Sequence, residues 1–403
     1  MRINWLSNAP WARTGYGNQT LLFAPRIREL GHDVAMTAFY GLEGSVLDWN
    51  GMRVYPRGYD AYGGDVMGAH SAHFEADVLI SLIDAWVVEP SMAPRTRWIP
   101  WFPIDHEPLP RAVAGKVSRA WRRIVFSKFG ERMMLDAGLS CDYVPHGVDT
   151  AQFKPMSDRQ AVRAELGWPL DKFVVGMVAA NKGNPSRKSL TQNIAAFAAL
   201  REKRDDVMLY LHTTAGEQQA GINLPEYLNA LDLKFGYMGQ CNANDVDVLF
   251  CDQYTSLIGF SEAYMAAVYN AMDVHLLVSM GEGFGIPILE AQACGCPVIV
   301  GDWTSMSELC FSGYTVAKSD AVRYWTPLAA WQWIAREPAI TERLVDMYEQ
   351  RSNINMRTAA RVAAMAYDAD AVTEKYWKPL LDCYQGELAA EPKIVDFDQV
   401  VRA

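Results

Sequence analysis

Residues 279–300 read SMGEGFGIPILEAQACGCPVIV, and the order of chemistry in this stretch decides the fold. The run that enters it, VHLLVS (274–279), is apolar enough for a buried strand, and PVIV (297–300) is so again. Between them Pro287 suits the first position of a helix, and Gly295 followed by Pro297 suits its end. Strand, loop, short helix and strand make a parallel β-α-β unit. The loop Met280–Ile286 then leaves the backbone N–H groups of Phe284, Gly285 and Ile286 pointing outward at a helix N-terminus. That is an anion site suited to a diphosphate. Gly283 and Gly285 lack the Cβ atoms that would hold a phosphate away.

Two glutamates sit in this apolar context. Glu290 falls in the first turn of the expected helix, where a charge–dipole contact is worth about 0.3–1 kcal/mol. That does not explain an acid beside an anion site. A carboxylate only accepts hydrogen bonds, so its useful partners there are hydroxyls. Glu290 and Glu282 therefore read as two hydroxyl readers flanking one diphosphate, which describes a nucleotide sugar. A second fragment, NKGNPSRKSL (181–190), follows the strand KFVVGMVAA (172–180). It opens a helix with an apolar face of Leu190, Ile194, Phe197 and Ala198. With Ser186 as the expected N-cap, Arg187 and Lys188 occupy the first turn, where cations oppose the macrodipole unless an anion is bound.

The same alternation extends in both directions. Upstream the apolar runs are RINWL, DVAMTAF, ADVLISL, TRWIPWF and RIVFS, with helices expected near 17–30 and 128–137. The latter is bounded by Ser127 as N-cap and Gly138 as C′ residue. The polar stretch YVPHGVDTAQFKPMSDRQ (143–160) reads as linker. After it come KFVVGMVAA, DVMLYLH, a helix from Ser261, DVHLLVS and PVIV, and beyond about Thr326 the pattern reads as helical to the end. The fold class is α/β with parallel sheets. The 403 residues divide into an N-terminal Rossmann-like domain (1–150), a linker (151–170), a second Rossmann-like domain (171–365) and a C-terminal segment (366–403). Ligands are expected in the cleft between the carboxyl ends of the two sets of strands.

Asp and Glu outnumber Lys and Arg by 47 to 37, so the surface as a whole does not favour nucleic acid. The excess is uneven. Residues 1–150 hold 15 basic against 16 acidic residues, and 111–132 hold Arg111, Lys116, Arg119, Arg122, Arg123, Lys128 and Arg132 against Glu131 alone. That segment offers a surface to an anionic acceptor or a membrane face. The beginning, MRINWLSNAPW, turns polar too early for a signal peptide, and no run reaches about 20 apolar residues. Seven cysteines without CxxC spacing read as reduced thiols. The expectation is a cytoplasmic protein with no structural metal.

EGFGIPILEAQACGCPVIV resembles the E-x7-E signature of the retaining GT-B glycosyltransferases of the family-four type. VPHGVDTAQFKP (144–155) is similar to that family's interdomain linker, YNAMDVHLLVS (269–279) to the strand before its signature, and TGYGNQT (14–20) to its N-terminal glycine loop. The resemblance is strong over about 140–310 and looser before it. It implies two Rossmann-like domains facing across a cleft, and a nucleoside-diphosphate sugar donor, UDP- or GDP-linked, held mainly by the second. It also implies a hydroxyl acceptor, no metal or other cofactor, retention at the anomeric carbon and front-face displacement. Carried over, Glu282 would contact the donor sugar and Glu290 the ribose. Gly283, Phe284, Gly285 and Ile286 would line the donor. Lys188 and Arg187 would stabilise the departing diphosphate. The family's Arg usually precedes its Lys by several residues, and Asn181 stands there instead, so Arg187 would substitute. The N-domain residue facing the sugar would be Asp105 or His106, in WIPWFPIDHEPLP. Asp84, ending the strand in LISLIDAW, would face the acceptor. Gly15 and Gly17 would admit phosphate or acceptor close to the backbone, or serve a plain turn. His146 belongs to the linker turn.

Three rivals compete. A dinucleotide-dependent oxidoreductase would use Gly281, Gly283, Gly285 and Asp302, but the third fingerprint glycine would fall at Ile286. A metal-dependent transferase would use Asp245 and Asp247, which lie in a polar, helix-like context. A non-catalytic sugar-nucleotide-binding protein would retain the shell without turnover.

Overall fold

The computed structural model describes residues 1–89 and 97–390, and residues 391–403 of the expected C-terminal segment lie outside them. Each apolar run becomes a strand. In the first sheet these are β1 (Arg2–Asn8), β2 (Asp33–Tyr40), β3 (Leu47–Trp49), β4 (Met52–Tyr55), β5 (Val78–Leu82), β6 (Arg97–Phe102), β7 (Ile124–Val125) and β8 (Asp142–Tyr143). Their order is β3-β4-β2-β1-β5-β6-β7-β8, parallel except for β3 against β4. The second sheet comprises β9 (Phe173–Val178), β10 (Val207–His212), β11 (Phe235–Tyr237), β12 (Val248–Phe250), β13 (Val274–Leu277), β14 (Val298–Gly301) and β15 (Gly313–Val316). It is parallel throughout, in the order β11-β12-β10-β9-β13-β14-β15. Full burial of β5, β13 and β14 is what covering both faces of a parallel sheet requires.

In each sheet the first strand sits beside two strands whose crossovers run in opposite directions. These switch points lie between β1 and β5, and between β9 and β13, and a crevice opens beyond them. The loops there carry TGYG, Asp84, SRKS and the EGFG stretch, so topology alone gathers the residues singled out above.

Several local expectations change. The helix expected from Ser186 begins at Leu190, because Ser186–Ser189 forms a separate turn (Ser189 N–H to Ser186 O, 2.8 Å) and Ser189 sits at φ 49°. Arg187 and Lys188 therefore project from a loop. The helix Ile286–Ala293 starts one residue before Pro287, which puts Glu290 in its second turn. The region beyond Thr326 is not all helical: β16 (Ala321–Trp325) and β17 (Trp331–Ala335) form an antiparallel hairpin. The stretch read as linker contains the helix Arg159–Glu165, bolted to the second sheet. Arg159 and Arg163 reach Asp273 at 2.9 and 2.6 Å, and Asp273 also accepts the Val174 amide at 2.7 Å. By contrast, Ser127 and Gly138 bound Lys128–Asp136 as local chemistry dictates: the Ser127 hydroxyl accepts from the Gly130 amide, and Gly138 takes φ 73°.

After the second domain the chain returns to the first. Val148 pairs with Asp368, and Trp377 is fully buried among Trp5, Phe23 and Trp101 at ring distances of 5.9, 6.1 and 4.9 Å. Truncating such a ring costs about 3–5 kcal/mol. The helix Lys378–Ala390 then lies along the first sheet's edge, with Tyr384 donating to Asp142 at 2.6 Å. Part of the basic segment 111–132 is spent on structure. Lys116 pairs with Glu89, Arg122 with Glu387 and Lys128 with Glu131, while Arg123 donates to carbonyls, Val117 O among them. That weakens its reading as an anionic-acceptor or membrane surface.

Candidate active site

The loop 280–285 is built to be rigid. Trp303 Nε1 donates to Ser279 O at 3.0 Å, and Thr304 Oγ1 accepts the Glu282 amide at 3.1 Å. The Ser305 hydroxyl lies 2.7 Å from both Glu282 O and Phe284 O. The WTS clasp (303–305) went unread in the sequence, because its only signal is small polar residues after a strand. With its carbonyls held, the loop presents the amides of Phe284, Gly285 and Ile286, for which no acceptor exists among the described residues. They stand at the positive end of the Ile286–Ala293 helix, and the partial charge there favours an anion.

The glycines have a different role from the one expected. A Cβ on Gly281 would collide with Asp105 O, and one on Gly283 with the Pro103 ring. Both residues admit the facing domain at close range. Gly285 is required by φ 106°. Gly17 serves the turn of its own loop, since a Cβ there would strike Ala12 O, whereas a Cβ on Gly15 would touch the Ile286 side chain at 3.5 Å.

Glu282 is 4% exposed and lies between two cations, Lys188 Nζ at 2.6 Å and Arg187 Nη1 at 3.2 Å. Burial alone would raise its pKa, yet Lys188 and Arg187 hold it down to about 2. It is therefore a permanent carboxylate. Burial pulls the Lys188 pKa down, with Glu282 opposing. Arg187 also donates to Gly281 O and approaches Asp105 at 3.8 Å across the cleft. Asp105 in turn lies 2.6 Å from His106 Nδ1. Burial would raise Asp105, but the His106 hydrogen bond and Arg187 bring it below its usual range. Asp84 accepts from the Tyr16 hydroxyl at 3.2 Å, and burial plus the neighbouring Asp105 charge raises its pKa. Arg187, Lys188, Glu282, Asp105 and His106 thus belong to one continuous network, and the Asp105 and Arg187 charges act on Asp84 beside it.

Glu290 lies apart from that network. Its Oε2 accepts from the buried Tyr269 hydroxyl at 2.7 Å, and burial pushes its pKa up to about 7, with the Tyr269 bond opposing. Asn181 is not positioned as a donor contact. Its amide donates to Ile222 O (2.7 Å) and Gly216 O (3.0 Å), and its oxygen accepts the Ile222 amide at 2.8 Å. It pins the 214–222 loop, so the arginine expected at this place has no counterpart in it. Asp247 of the rival metal motif is likewise spent, on Arg201 at 2.6 Å and the Lys234 amide at 2.9 Å.

Two features unread in the sequence complete the surroundings. His146 is buried against Phe126, Trp101 and Phe284 (4.0, 4.6 and 5.2 Å), and burial drives its pKa well down, so it is a neutral aromatic spacer between the domains. The β16–β17 hairpin closes one side. Trp331 exchanges backbone bonds with Glu107 (2.9 and 3.1 Å), Gln332 Nε2 reaches Asp105 O at 3.2 Å, and Trp333 N–H donates to Met280 O at 3.0 Å.

Residues 172–325, which contain every strand of the second sheet together with Arg187, Lys188, Glu282 and Glu290, match the family model described as Glycosyl transferases group 1. This segment of the chain is similar to the group 1 glycosyltransferases. Among curated relatives of this family, the D-inositol 3-phosphate glycosyltransferase of Segniliparus rotundus is 31% identical over 209 residues, half of this chain. The match spans 40% of that relative's own length. Solved structures place the whole chain in the GT-B fold. Sucrose-phosphate synthase from Thermosynechococcus elongatus superposes with a TM-score of 0.73 at 16% identity, covering 97% of this chain and all of that one. Anabaena HepE in complex with UDP-glucose gives 0.67 at 16%, covering 95% and 100%. Both sheets of this GT-B chain are thus accounted for. No described helix is long and apolar enough to cross a membrane.

Proposed function

We propose that this chain transfers a glycosyl group from a nucleoside-diphosphate sugar to a hydroxyl acceptor, with retention at the anomeric carbon and without a metal ion. The observation that carries the reading is the pairing of Lys188 and Arg187 with three acceptor-free amides at 284–286, beside a carboxylate, Glu282, held permanently charged. Cations and amides suit a diphosphate, and the carboxylate suits sugar hydroxyls. A relative solved with UDP-glucose supports the donor class.

In this reading the diphosphate lies against the 286–293 helix N-terminus. Lys188 and Arg187 exchange part of their pairing with Glu282 and Asp105 for phosphate oxygens. Glu282, so released, accepts donor-sugar hydroxyls, and Glu290 accepts from the ribose. The bond from the anomeric carbon to the phosphate oxygen breaks as the acceptor oxygen bonds to the same face. The acceptor proton passes to the leaving phosphate oxygen, giving nucleoside diphosphate and glycoside. Lys188 and Arg187 stabilise the charge that develops on the leaving group, a role worth about 10²–10³ in rate per donor. Asp105 and His106 flank the sugar from the first domain.

The test is a thermal-shift series with UDP, GDP, ADP, CMP and dTDP, each with and without EDTA. A ligand at a hundred times its Kd adds about 2.7 kcal/mol of stability. One diphosphate should raise Tm regardless of EDTA, and Lys188→Ala should abolish the shift. NMR of the first product formed should show the donor's anomeric configuration. A shift with NAD alone, a strict need for divalent metal, or an inverted product would overturn the corresponding part.

A further inference from the structure

The acceptor-side edge of the first sheet is chemically unlike a phosphate site. Four loops or loop starts leave its adjacent strands β2, β1, β5 and β6: residues 41–46, 9–14, 83–89 and 103–110. Together they hold five carboxylates (Glu43, Asp84, Glu89, Asp105 and Glu107) and one arginine, Arg13. The Arg13 stem packs toward Gly259 and its charge acts on Glu262, both in the second domain. Glu43, Glu89 and Glu107 take cations from elsewhere, Arg57, Lys116 and Lys318. Arg187 is committed to Gly281 O, Glu282 and Asp105. Among the described residues of these loops the acids outnumber the cations five to one.

An independent observation concerns Asn8. The β1–β2 register shifts between Ser7 and Asn8, at the carboxyl end of β1. Asn8 is 8% exposed there, its Nδ2 donates to Thr14 Oγ1 at 2.6 Å, and its Oδ1 has no hydrogen-bond partner. A buried carbonyl oxygen without a donor is costly, and what satisfies it must bring an N–H or O–H. Aromatic rings border the same edge. Trp11 is held by Nε1–H to Gly41 O at 2.8 Å yet remains 38% exposed, Tyr40 is 56% exposed, and Trp86, two residues beyond Asp84, is 43% exposed. Carboxylates and an orphan carbonyl accept hydroxyls, and exposed rings take the C–H faces of sugar rings.

From the acid-rich loops, the orphan Asn8 oxygen and the aromatic rim, we infer that the acceptor is an uncharged, polyhydroxylated molecule, a glycan or polyol without a phosphate. Asp84 and Asn8 accept its hydroxyls and Trp86 packs on its ring. This rests on the transferase reading above and departs from the phosphorylated compound for which the Segniliparus relative is named.

The experiment compares matched acceptors: myo-inositol with inositol 3-phosphate, glucose with glucose 6-phosphate, and sucrose with sucrose 6-phosphate, plus maltotriose. Each is followed by product mass and by saturation-transfer NMR, using the nucleotide selected by thermal shift. A neutral member should be engaged at least tenfold better than its phosphorylated partner. Asp84→Asn and Trp86→Ala should each raise acceptor KM tenfold or more while nucleotide Kd stays within twofold. Preference for a phosphorylated member, no engagement of any neutral one, or an unchanged acceptor KM in both variants would overturn the inference. If no nucleoside diphosphate binds at all, the transferase reading fails instead.

Discussion

The two walls of the cleft are built from the same kind of unit, a parallel sheet ending in loops at a switch point, yet they carry opposite chemistry. The second sheet presents Lys188, Arg187 and unpaired amides, and its one acid at the centre, Glu282, is neutralised by those cations. The first presents Asp84, Asp105 and the Asn8 oxygen with exposed rings, and its described loops hold more acids than cations. A shared fold therefore fixes where a ligand can lie, while a few loop side chains fix which sign of charge it meets. The walls are joined by several contacts, Arg187 reaching Asp105 and Lys318 reaching Glu107 among them.

The comparison breaks most severely at Lys188. Lys188→Ala should lower kcat/KM by about 10²–10³-fold with acceptor KM little changed, measured by steady-state kinetics. A smaller but still large effect is expected from Gly283→Ala, whose new methyl group meets Pro103 and forces the walls apart. A misplacement of about 1 Å is enough to cost about 10²-fold in turnover. The nucleotide Kd, read by calorimetry, should change far less than kcat, because the donor wall itself stays intact.

Next in size is a pH effect through Glu290. Its pKa of about 7 means that it holds a proton below neutrality, whereas ribose hydroxyls donating to it favour the ionised form. Nucleotide binding should then release a proton, and Kd should rise as pH falls below 7, by up to tenfold per pH unit. Glu290→Gln should flatten that profile. The sign for stability is the reverse. A carboxyl with a raised folded-state pKa contributes stability at acid pH that is lost as pH rises from its ordinary value through 7. The smallest effect is expected at Lys318→Ala. Its bridge to Glu107 is about 40% exposed on both sides, so the loss should stay within about 1 kcal/mol in a denaturant titration.

Legibility in the sequence followed the range of the interaction. The helix 128–136 was readable to within a residue because Ser127 and Gly138 act on their own backbone. The strands beside the signature were readable from unbroken burial. The hairpin was missed because WQWIA shows no clean two-residue alternation: Ile334 is apolar and Gln332 is buried. The turn before Leu190 was illegible because Ser189 takes a positive φ, a conformation that serves the placement of Arg187 and Lys188 rather than any local preference. Where type and place coincided, as for Glu282 and Lys188, residues singled out in separate motifs stand together in the structure. A distant partner left no such trace: the Asn181 side chain is engaged by a loop more than thirty residues away. Gly281 and Gly283 answer to atoms in the other domain, which no local pattern records.

The pairing of Val148 with Asp368 sets the chain's outward and return crossings side by side. Two adjacent tethers hold the halves along one line, so sliding or separation would break both. A protease cut at either crossing alone would leave a nicked protein that still migrates as one particle.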